Sequence, residues 1–557
     1  MSTPLDAEIL RNAIAVAAEE ASIVVVRGAY SVYILEGADA AAAILDADGR
    51  LIGHSVSTSL AHSASLRCSL PPVIAAHPLA SMRPGDVFVT NDVYAGGIHA
   101  NDLIVFRPVF VDDRPAYFTG TLIHVADLSG LSAGGMASSA TDIFLEGLQL
   151  PPVRLATAAG LVDDVMRILA FNSRQPDRLL GDVRALVAGT AVAARRVDKL
   201  VERYGAEGFA RGVEALIDWA ELRTKQEIAT LPNGTYSATY QVDDDGIHLG
   251  TPLTLCATVT IDDERIYIDF AGTDAQVAAS VNAGYSQVVS GAMYAVRCFL
   301  DPDIPMNEGC FRAITLQLPE GSLVNPSRPF PAGGRYVTVS AAVEAIYRAI
   351  SNAKPEHAVA ASGLLHPYSL AGHADEGVWL HMAFDFGGMG ARRGSDGPDA
   401  TGGLFGGGRN LVPQVEAIEA RLPVRIEAIE VIPDSGGAGE FRGGLATRTV
   451  IRVLRDATVD TRGDRILIPP EGFDGGQPGR AGTYAIASTT GETRTIGGKA
   501  ANVPIRAGDA LIVETSGGGG LGDPSRRDRA ALAADIAAGR VTEAGAAAYE
   551  WPTRGNE

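Results

Sequence analysis

The sequence predicts a mixed α/β (α+β) protein of several domains. Its 557 residues are 46% hydrophobic and 20% charged, the composition of a globular chain long enough for two to four domains. Residues 160–230 have helical periodicity, strand-like runs lie on either side of them, and glycine becomes frequent after residue 370. We therefore expect an α/β domain over residues 1–231, a second α/β domain over residues 232–369 and a glycine-rich, β-rich domain over residues 370–557.

The N-terminal segment predicts a helix and then a β-hairpin. Residues 5–23 carry apolar side chains at helical spacing. Residues 33–45 and 51–56 flank an Asp-Ala-Asp-Gly turn, so we expect them to pair as antiparallel strands. Asp39 lies on the first of these predicted strands.

A second predicted hairpin carries the residues most suited to chemistry. Residues 104–111 and 115–123 are rich in β-branched and aromatic side chains, and the turn Asp112-Asp113-Arg114 separates them. If this turn centres on its middle residue, the numbers of facing residues add up to 226. Asp102 then faces His124, with Cβ atoms roughly 5 Å apart.

His99 precedes the first strand of this hairpin by a few residues. The preceding pair Gly96-Gly97 allows backbone conformations that are closed to other residues, so the chain can fold back and direct His99 to the same point. The sequence therefore predicts that His99, Asp102 and His124 converge at the end of the hairpin. A slip of one residue in the register would separate them.

Two histidines and two or more carboxylates that converge from one hairpin and its entry loop would form a site suited to Mn²⁺, Fe²⁺ or Zn²⁺, where a coordinated water becomes acidic enough to act as a nucleophile. Taken singly, each residue has an ordinary explanation, because buried histidines usually bond a carbonyl and Asp near glycine usually forms a turn. The clustering favours a metal site. His54 and His62 also lie nearby, but their Ser-, Thr- and Ala-rich surroundings do not indicate ligands.

The middle of the chain predicts helices and then strands. Apolar residues recur every three or four positions over residues 183–204, giving one stripe along about six helical turns that is either core or a subunit interface. Short alternating runs then predict strands at residues 236–242, 253–261 and 265–270. Further helices are expected at residues 290–300, 339–350, 528–538 and 542–549.

The glycine-rich segment 517–524 invites comparison with phosphate-binding loops. It lacks the Gly-Lys-Ser/Thr of a Walker loop and the strand-glycine-helix frame of a dinucleotide fold. We therefore interpret the glycines after residue 370 as tight turns of a β-rich domain.

The motifs of this chain resemble those of the hydantoinase B/oxoprolinase family, the B-type subunits of ATP-dependent hydantoinases, lactamases and related carboxylases. The matching segments, in chain order, are Gly85-Asp86-Val87-Phe88, Asn91-Asp92, Gly96-Gly97, His99, Asp102, His124, Ala126-Asp127, Glu146-Gly147, Pro151-Pro152-Val153, Gly272-Thr273-Asp274, Pro305-Met306-Asn307-Glu308-Gly309, residues 434–439, Arg442-Gly443-Gly444 and residues 517–524. One departure lies upstream, where an Arg-rich Glu-Arg-Arg-Asp-Phe-Ser segment of the family becomes residues 36–41 here. Asp39 is kept, but the polar neighbours that could contact substrate are not.

The resemblance implies a set of site residues. One divalent metal, Mn, Zn or Fe, would be bound by His99, Asp102 and His124, with Asp39 as the fourth ligand. Asp92, Asp127 and Glu146 would assist catalysis, the first two as hydrogen-bond partners of the ligating histidines. Glu308 lies in a family-like segment that is also an ordinary Asn-Glu-Gly turn, and both explanations stay open.

The resemblance also implies a partner. An A-type subunit would bind ATP and Mg²⁺ and phosphorylate the carbonyl oxygen of a cyclic amide, and this chain would receive the activated substrate in a heterotetramer of two A and two B chains. One alternative is a subunit of an ATP-dependent ketone carboxylase of the acetone or acetophenone type. A second alternative is a non-catalytic scaffold whose metal is structural, with a coordination shell closed by protein ligands.

Net charge, apolar runs and cysteine spacing indicate which partners and which cellular location to expect. The formal net charge of −20 disfavours nucleic acid and anionic membranes as partners. No apolar run reaches the roughly 18 residues of a membrane span, and the N-terminus has no signal-peptide pattern, so we expect a cytoplasmic protein. The four cysteines show no Cys-x-x-Cys spacing and are expected to be reduced.

Overall fold

The computed structural model describes residues 4–56, 62–135, 137–374, 377–402 and 414–549. Helices and several sheets are both present, so the predicted mixed α/β class is confirmed. The chain forms two compact units, unit 1 mainly from Met1–Ser237 and Cys256–Ala342, and unit 2 mainly from Ala238–Leu255, Val343–Gly407 and Gln414–Glu557. The three consecutive segments expected from the sequence stay a prediction of domain organisation.

The secondary structure is as follows. The helices are α1 (Pro4–Gly28), α2 (Val32–Gly37), α3 (Ser63–Ala76), α4 (Asp163–Phe171), α5 (Pro176–Tyr204), α6 (Ala206–Ile228), α7 (Tyr285–Arg297), α8 (Glu308–Arg312), α9 (Tyr336–Ala353), α10 (Val415–Glu419) and α11 (Arg529–Ala537). The strands are β1 (Ala40–Asp46), β2 (Leu51–His54), β3 (Val87–Thr90), β4 (Asp102–Val111), β5 (Arg114–His124), β6 (Val153–Thr157), β7 (Gly160–Leu161), β8 (Gly234–Val242), β9 (Leu253–Asp262), β10 (Arg265–Asp269), β11 (Ile314–Gln317), β12 (Leu365–Ala374), β13 (Gly377–Phe386), β14 (Val424–Val431), β15 (Thr447–Val453), β16 (Ala457–Thr461), β17 (Thr483–Ala487), β18 (Thr493–Ile496), β19 (Val503–Ile505) and β20 (Ala510–Glu514). Within these described ranges, no helix combines the length and the apolar character that crossing a membrane requires.

Unit 1 is built on a seven-stranded antiparallel sheet in the order β2-β1-β5-β4-β3-β6-β7. Successive side chains of a strand point to opposite faces. Thr119 and Thr121 of β5 donate from their hydroxyls to carbonyl oxygens of α5, at 3.0 and 3.1 Å. Gly120 between them faces α3, where an added Cβ would lie 2.9 Å from Leu66. Helix α5 therefore covers one face of the sheet and α3 the other.

Helix α5 contains the predicted apolar stripe. Val183, Leu186, Val197 and Leu200 are buried in the core clusters of unit 1. Arg196, which lies off the stripe, pairs with Glu20 on α1. The stripe is therefore core, and its alternative assignment as a subunit interface is wrong.

The predicted strand over residues 33–45 is only half correct. Val32–Gly37 form α2, and Ala38 ends this helix with a left-handed φ of 54° that turns the chain into β1. Asp39 therefore precedes β1 and does not lie on it. The apolar, β-branched residues at the start of this segment suggest a strand, but the turn at Ala38 separates them from the sheet.

Unit 2 contains the sheets β13-β12-β16-β19 and β14-β15-β20-β17-β18, which enclose an apolar core. The predicted β-rich character of this part is confirmed, but the glycines of residues 517–520 are not turn residues. A Cβ on Gly517 would lie 1.8 Å from the Ser435 carbonyl oxygen, and one on Gly518 would lie 1.9 Å from that of Met389. These glycines are required because backbones pack directly against each other.

The backbone N–H groups of this glycine segment are all used within unit 2. Those of residues 517–520 donate in turn to four different carbonyl oxygens, at distances of 2.8 to 2.9 Å. A phosphate-binding loop must present such groups to its ligand. The segment therefore serves packing, as the missing Walker lysine also indicates.

Candidate metal centre

The site lies at the open end of the hairpin formed by β4 and β5. Asp102 and His124 face each other directly in this pair, so the predicted register is confirmed. The turn itself differs, because only Asp112 and Asp113 form it, both with positive φ, as two-residue hairpin turns require. An irregularity between Val109 and Phe110 compensates for the shorter turn and restores the predicted pairing towards Asp102.

Three side chains converge there. His124 Nδ1 lies 3.4 Å from Asp102 Oδ1, His99 Nε2 lies 3.4 Å from Asp102 Oδ2, and the two histidine nitrogens are 3.1 Å apart. His99, Asp102 and His124 are 5%, 1% and 8% exposed. Two ligand atoms bound ~2.1 Å from one ion at ordinary coordination angles lie roughly 3.0–3.5 Å from each other. The spacing is therefore that of atoms that share an ion.

The donor set fits a divalent transition metal. One nitrogen or oxygen from each of the three residues lies within 4.8 Å of the other two. Asp102 Oδ1 is buried and accepts no hydrogen bond from any described residue. An unsatisfied buried carboxylate oxygen is costly, and a cation would remove that cost. Two imidazoles and a carboxylate suit Mn²⁺, Fe²⁺ or Zn²⁺.

The loop before β4 directs His99 to this point. Asp92 caps the short 3-10 turn Val93–Ala95 by accepting the Tyr94 N–H at 3.1 Å. Gly96 follows with φ of 94°, and an added Cβ there would lie 2.5 Å from the Cys68 backbone. The chain then reaches His99, whose Nδ1 accepts the Asn101 N–H at 3.1 Å, so that Nε2 faces the cluster.

Asp39 lies near the cluster but has its own partner. His62, at the start of α3, donates to Asp39 Oδ1 at 2.8 Å. Burial acts to raise the pKa of Asp39, but the charges of His62, His124 and Arg335 outweigh it and hold that pKa below its ordinary value. The carboxylate is therefore ionised, as a metal ligand must be. The cluster of potential ligands found among the described residues comprises His99, Asp102 and His124, and Asp39 as a fourth ligand stays a prediction.

Asp92 and Asp127 hold loops around the site. Asp92 Oδ1 accepts from Arg328 Nη2 at 3.1 Å in addition to its capping bond. Asp127 is 1% exposed and accepts both the backbone N–H and the guanidinium of Arg174, at 2.7 and 2.8 Å. It also accepts the Gly134 N–H at 3.0 Å. Both carboxylates are thus engaged in local contacts, and their roles in catalysis stay predictions.

Glu146 organises a distant segment beside the metal ligands. It accepts the Ser280 hydroxyl at 2.8 Å and the N–H groups of Ala332 and Gly333 at 3.1 and 2.6 Å. Two residues further on, Arg335 Nη2 donates to Asp102 Oδ2 at 3.4 Å. Glu146 therefore fixes the loop that brings a guanidinium to the candidate metal ligand.

The sequence patterns did not indicate Arg335, and they did not indicate His62 as a ligand. Arg335 is 233 positions from Asp102, and His62 is 23 positions from Asp39. Both contacts depend on the packing of separate elements, and neither residue lies in a local pattern that indicates a site.

Glu308, whose role the sequence left open, accepts two hydrogen bonds from the Arg67 guanidinium at 2.7 and 2.6 Å. This ion pair is a structural contact between α3 and α8.

The sequence of this chain matches known proteins over most of its length. A family model described as hydantoinase B/oxoprolinase matches residues 3–524. Caprolactamase subunit beta from Pseudomonas jessenii is 31% identical over 481 residues, which cover 83% of this chain and 81% of that protein.

Solved structures agree with this match. The crystal structure of the ATP-dependent caprolactamase from Pseudomonas jessenii is similar with a TM-score of 0.92 and 25% identity, over 100% of this chain and 98% of that chain. A nucleotide-free acetone carboxylase shares the fold with a TM-score of 0.87 and 20% identity, over 98% of this chain and 79% of that chain. Because the family model spans almost the whole sequence, the chain belongs to the hydantoinase B/oxoprolinase family.

Proposed function

We propose that this chain is the metal-bearing subunit of an ATP-dependent cyclic-amide hydrolase of the hydantoinase, oxoprolinase or lactamase type. The observation that carries this proposal is the convergence of His99, Asp102 and His124, with ligand atoms within 4.8 Å of one another. The relative named caprolactamase subunit beta supports a role as one component of a two-component enzyme.

The reaction explains why such an enzyme needs two activities, phosphorylation and hydrolysis. A lactam is a poor electrophile because of amide resonance. Phosphorylation of its carbonyl oxygen by a partner removes that resonance. One water then adds to the ring carbon, the C–N bond breaks, and the nitrogen leaves as the protonated amine. A second water converts the resulting acyl phosphate to a carboxylate and inorganic phosphate.

The residues of this chain would activate the water that attacks the phosphorylated amide. His99, Asp102 and His124 would hold one Mn²⁺, Zn²⁺ or Fe²⁺, with Asp39 as the fourth ligand. A metal bound there would lower the pKa of a water molecule towards neutrality. Arg335 orients Asp102 through its contact at 3.4 Å. The contacts of Asp92, Asp127 and Glu146 favour positioning roles for these three carboxylates.

The partner and the assembly are part of the same proposal. An A-type subunit would bind ATP and Mg²⁺ and carry out the phosphorylation. Two A and two B chains would form a symmetric heterotetramer, which we place in the cytoplasm. Because the α5 stripe is core, the contact with the partner must use other surfaces.

Ketone carboxylation is the second candidate, since an acetone carboxylase shares the fold. That reaction would consume bicarbonate, and ATP turnover would depend on the presence of bicarbonate. A scaffold without catalytic function is the third candidate, and a metal that could be removed without loss of activity would favour it.

The experiment uses the complex of this chain with its A-type partner. The complex is incubated with ATP, Mg²⁺ and a panel of hydantoins, lactams and ketones, with and without bicarbonate, while phosphate and organic products are measured. We expect ring-opened product from a cyclic amide without bicarbonate. Turnover of a ketone that requires bicarbonate would replace the hydrolase assignment by the carboxylase, and ring opening by this chain without ATP would overturn the two-component mechanism.

A further inference from the structure

Unit 2 contains a cavity that the proposed reaction does not use. Its volume is about 130 Å³, and its walls include Tyr240 of β8, Glu344 and Arg348 of α9, and the loop residues Arg465 and Glu471. Ligand sites for drug-sized molecules and nucleotides are larger, roughly 300–1,000 Å³. The cavity therefore suits a small molecule or ion.

Arg465 occupies an unusual position in its wall. Its side chain is 2% exposed, and its backbone has a left-handed φ of 64°. A long side chain with positive φ is uncommon, and such conformations concentrate at ligand sites. The conformation is held in place because the Arg465 carbonyl accepts the Gly482 N–H at 2.9 Å and the Ser516 hydroxyl at 3.1 Å.

The polar groups around Arg465 are incompletely satisfied. Within the described part of the chain, Nε and Nη2 of Arg465 and the hydroxyl of Tyr240 have no hydrogen-bond partner, although all three atoms are buried. The guanidinium carbon lies 4.2 Å from the centre of the Tyr240 ring. Buried donors without acceptors are costly, so an acceptor bound beside these three would lower the free energy of the folded protein.

The other charged groups of the cavity have partners. Arg348 pairs with Glu471 at 3.4 Å. Glu344 accepts the Ser362 N–H at 2.9 Å. Burial raises the pKa of Glu344, although the nearby charge of Arg465 acts to lower it. Among the described residues, neither Arg465 nor Glu344 has an ion-pair partner in this cavity, and of the two only Arg465 also has buried donors without an acceptor.

We propose that this cavity is a binding site for a small oxoanion, a carboxylate or a phosphate, held by the guanidinium of Arg465 and the hydroxyl of Tyr240. A guanidinium binds either anion through two parallel hydrogen bonds. The Tyr240 ring below it would fix its plane, and the tyrosine hydroxyl would donate a further bond. The site is independent of the proposed hydrolase function.

A purely structural role for Arg465 makes the opposite predictions. If its stacking on Tyr240 and the charge of Glu344 are sufficient, anions should have no specific effect and loss of the guanidinium should destabilise the protein. If the site is built for an anion, the anion-free protein carries strain and unsatisfied donors that the removal of Arg465 relieves.

The test is thermal unfolding and calorimetric titration of the whole chain with sodium acetate and with sodium phosphate, at constant ionic strength against sodium chloride. The variants are Arg465→Asn, because Asn tolerates the left-handed backbone, and Tyr240→Phe, which keeps the ring. Glu344→Gln keeps an acceptor for Ser362 but removes the negative charge. The control is Arg506→Asn, on the exposed surface of unit 2.

We expect at least one of the two anions to raise the unfolding temperature of the wild-type and control proteins, and Arg465→Asn to abolish this rise without lowering the anion-free unfolding temperature. Tyr240→Phe should weaken binding about fivefold, the effect of one hydrogen bond. Glu344→Gln should strengthen it about tenfold or more, because a like charge is removed. No specific effect of either anion on the wild-type protein, or an unchanged effect in Arg465→Asn, would overturn the proposal.

Discussion

Asp102 and His124 face each other across the antiparallel strands β4 and β5, and their side chains approach to 3.4 Å. This pairing places a carboxylate and an imidazole at the buried end of a rigid hairpin. His99 joins them from the preceding loop, with its Nε2 3.1 Å from His124 Nδ1. The register of the hairpin and the loop before β4 together set the geometry of the candidate metal centre.

His99→Ala should remove most of the bound metal. Loss of a hydrogen-bond partner of a metal ligand costs about 10- to 100-fold in affinity, and loss of the ligand itself should cost more. Elemental analysis and competition with a fluorescent chelator measure the effect. His357→Ala, at an exposed position, is the matched control and should keep wild-type metal content. A folded His99→Ala protein with full metal occupancy would exclude His99 from the site.

Arg335→Gln should reduce the turnover of the complex while the metal is retained. The substitution removes the donor at 3.4 Å from Asp102 Oδ2, so that this ligand is less well oriented. We expect kcat to fall about tenfold or more with a smaller change in KM, and Arg335→Lys to restore part of the loss. Arg167→Gln, which removes an exposed ion pair, is the control. Wild-type kcat in Arg335→Gln would remove this arginine from the mechanism.

Glu146→Gln should lower both stability and activity. The buried carboxylate accepts three donors, and an amide would turn an NH₂ group towards at least one of them. The free energy of unfolding should fall by about 2–3 kcal/mol. Gly333→Ala should have a similar effect, because its Cβ would lie 2.8 Å from Glu146 Oε1. Urea denaturation measures the stability of both variants, with the exposed Glu207→Gln as control, and the ring-opening assay of the complex measures their activity. Unchanged stability in both variants would show that this contact does not hold the loop.

Stability should decrease in mild acid because of a buried histidine in unit 2. Burial lowers the pKa of His366 to about 4, whereas an unfolded histidine titrates near 6.5. Between these values the unfolded chain binds more protons, so the contribution of His366 is complete above pH ~6.5 and is lost as the pH falls towards ~4. The loss is roughly 3 kcal/mol.

Urea denaturation at neutral and acidic pH tests this contribution. His381, whose pKa is also lowered by burial to about 4, adds a second decrease of the same sign. His366→Gln should therefore lose about half as much stability between the two pH values as the wild-type protein. An identical pH dependence in the two proteins would show that His366 does not titrate in this range.

Much of the candidate site follows from local sequence patterns. The β-branched and aromatic residues of β4 and β5, with turn residues between them, predicted the pairing of Asp102 with His124. That agreement depended on the irregularity near Val109, which no local pattern indicates. The long helix α5 was equally predictable, because its apolar stripe repeats over many turns.

What the sequence did not predict depends on packing between distant segments. Arg335 reaches Asp102 because Glu146 holds the intervening loop, and this contact joins three separate parts of the chain. The strand expected before residue 40 failed because a left-handed residue at Ala38 outweighs the β-propensity of its neighbours. The close backbone packing of glycines in unit 2 can be predicted only when both contacting segments are known.

The partner should be required for ATP to bind with useful affinity. The N–H groups of residues 517–520 are occupied by carbonyl oxygens, and this glycine-rich segment has no lysine to contact a phosphate. Isothermal titration of the purified chain with ATP should give no heat of specific binding, while the complex with the A-type subunit should bind it. Micromolar binding by this chain alone would place a nucleotide site here.

The most direct test compares ring opening and ATP turnover in two complexes with the A-type partner, one with the wild-type chain and one with His99→Ala. Ring-opened product and phosphate are measured together in each. We predict one product per phosphate in the wild-type complex. In the His99→Ala complex we predict almost no product, with only slow phosphate release as the activated amide decays. Ring opening by the His99→Ala complex at the wild-type rate would contradict a catalytic metal centre in this chain.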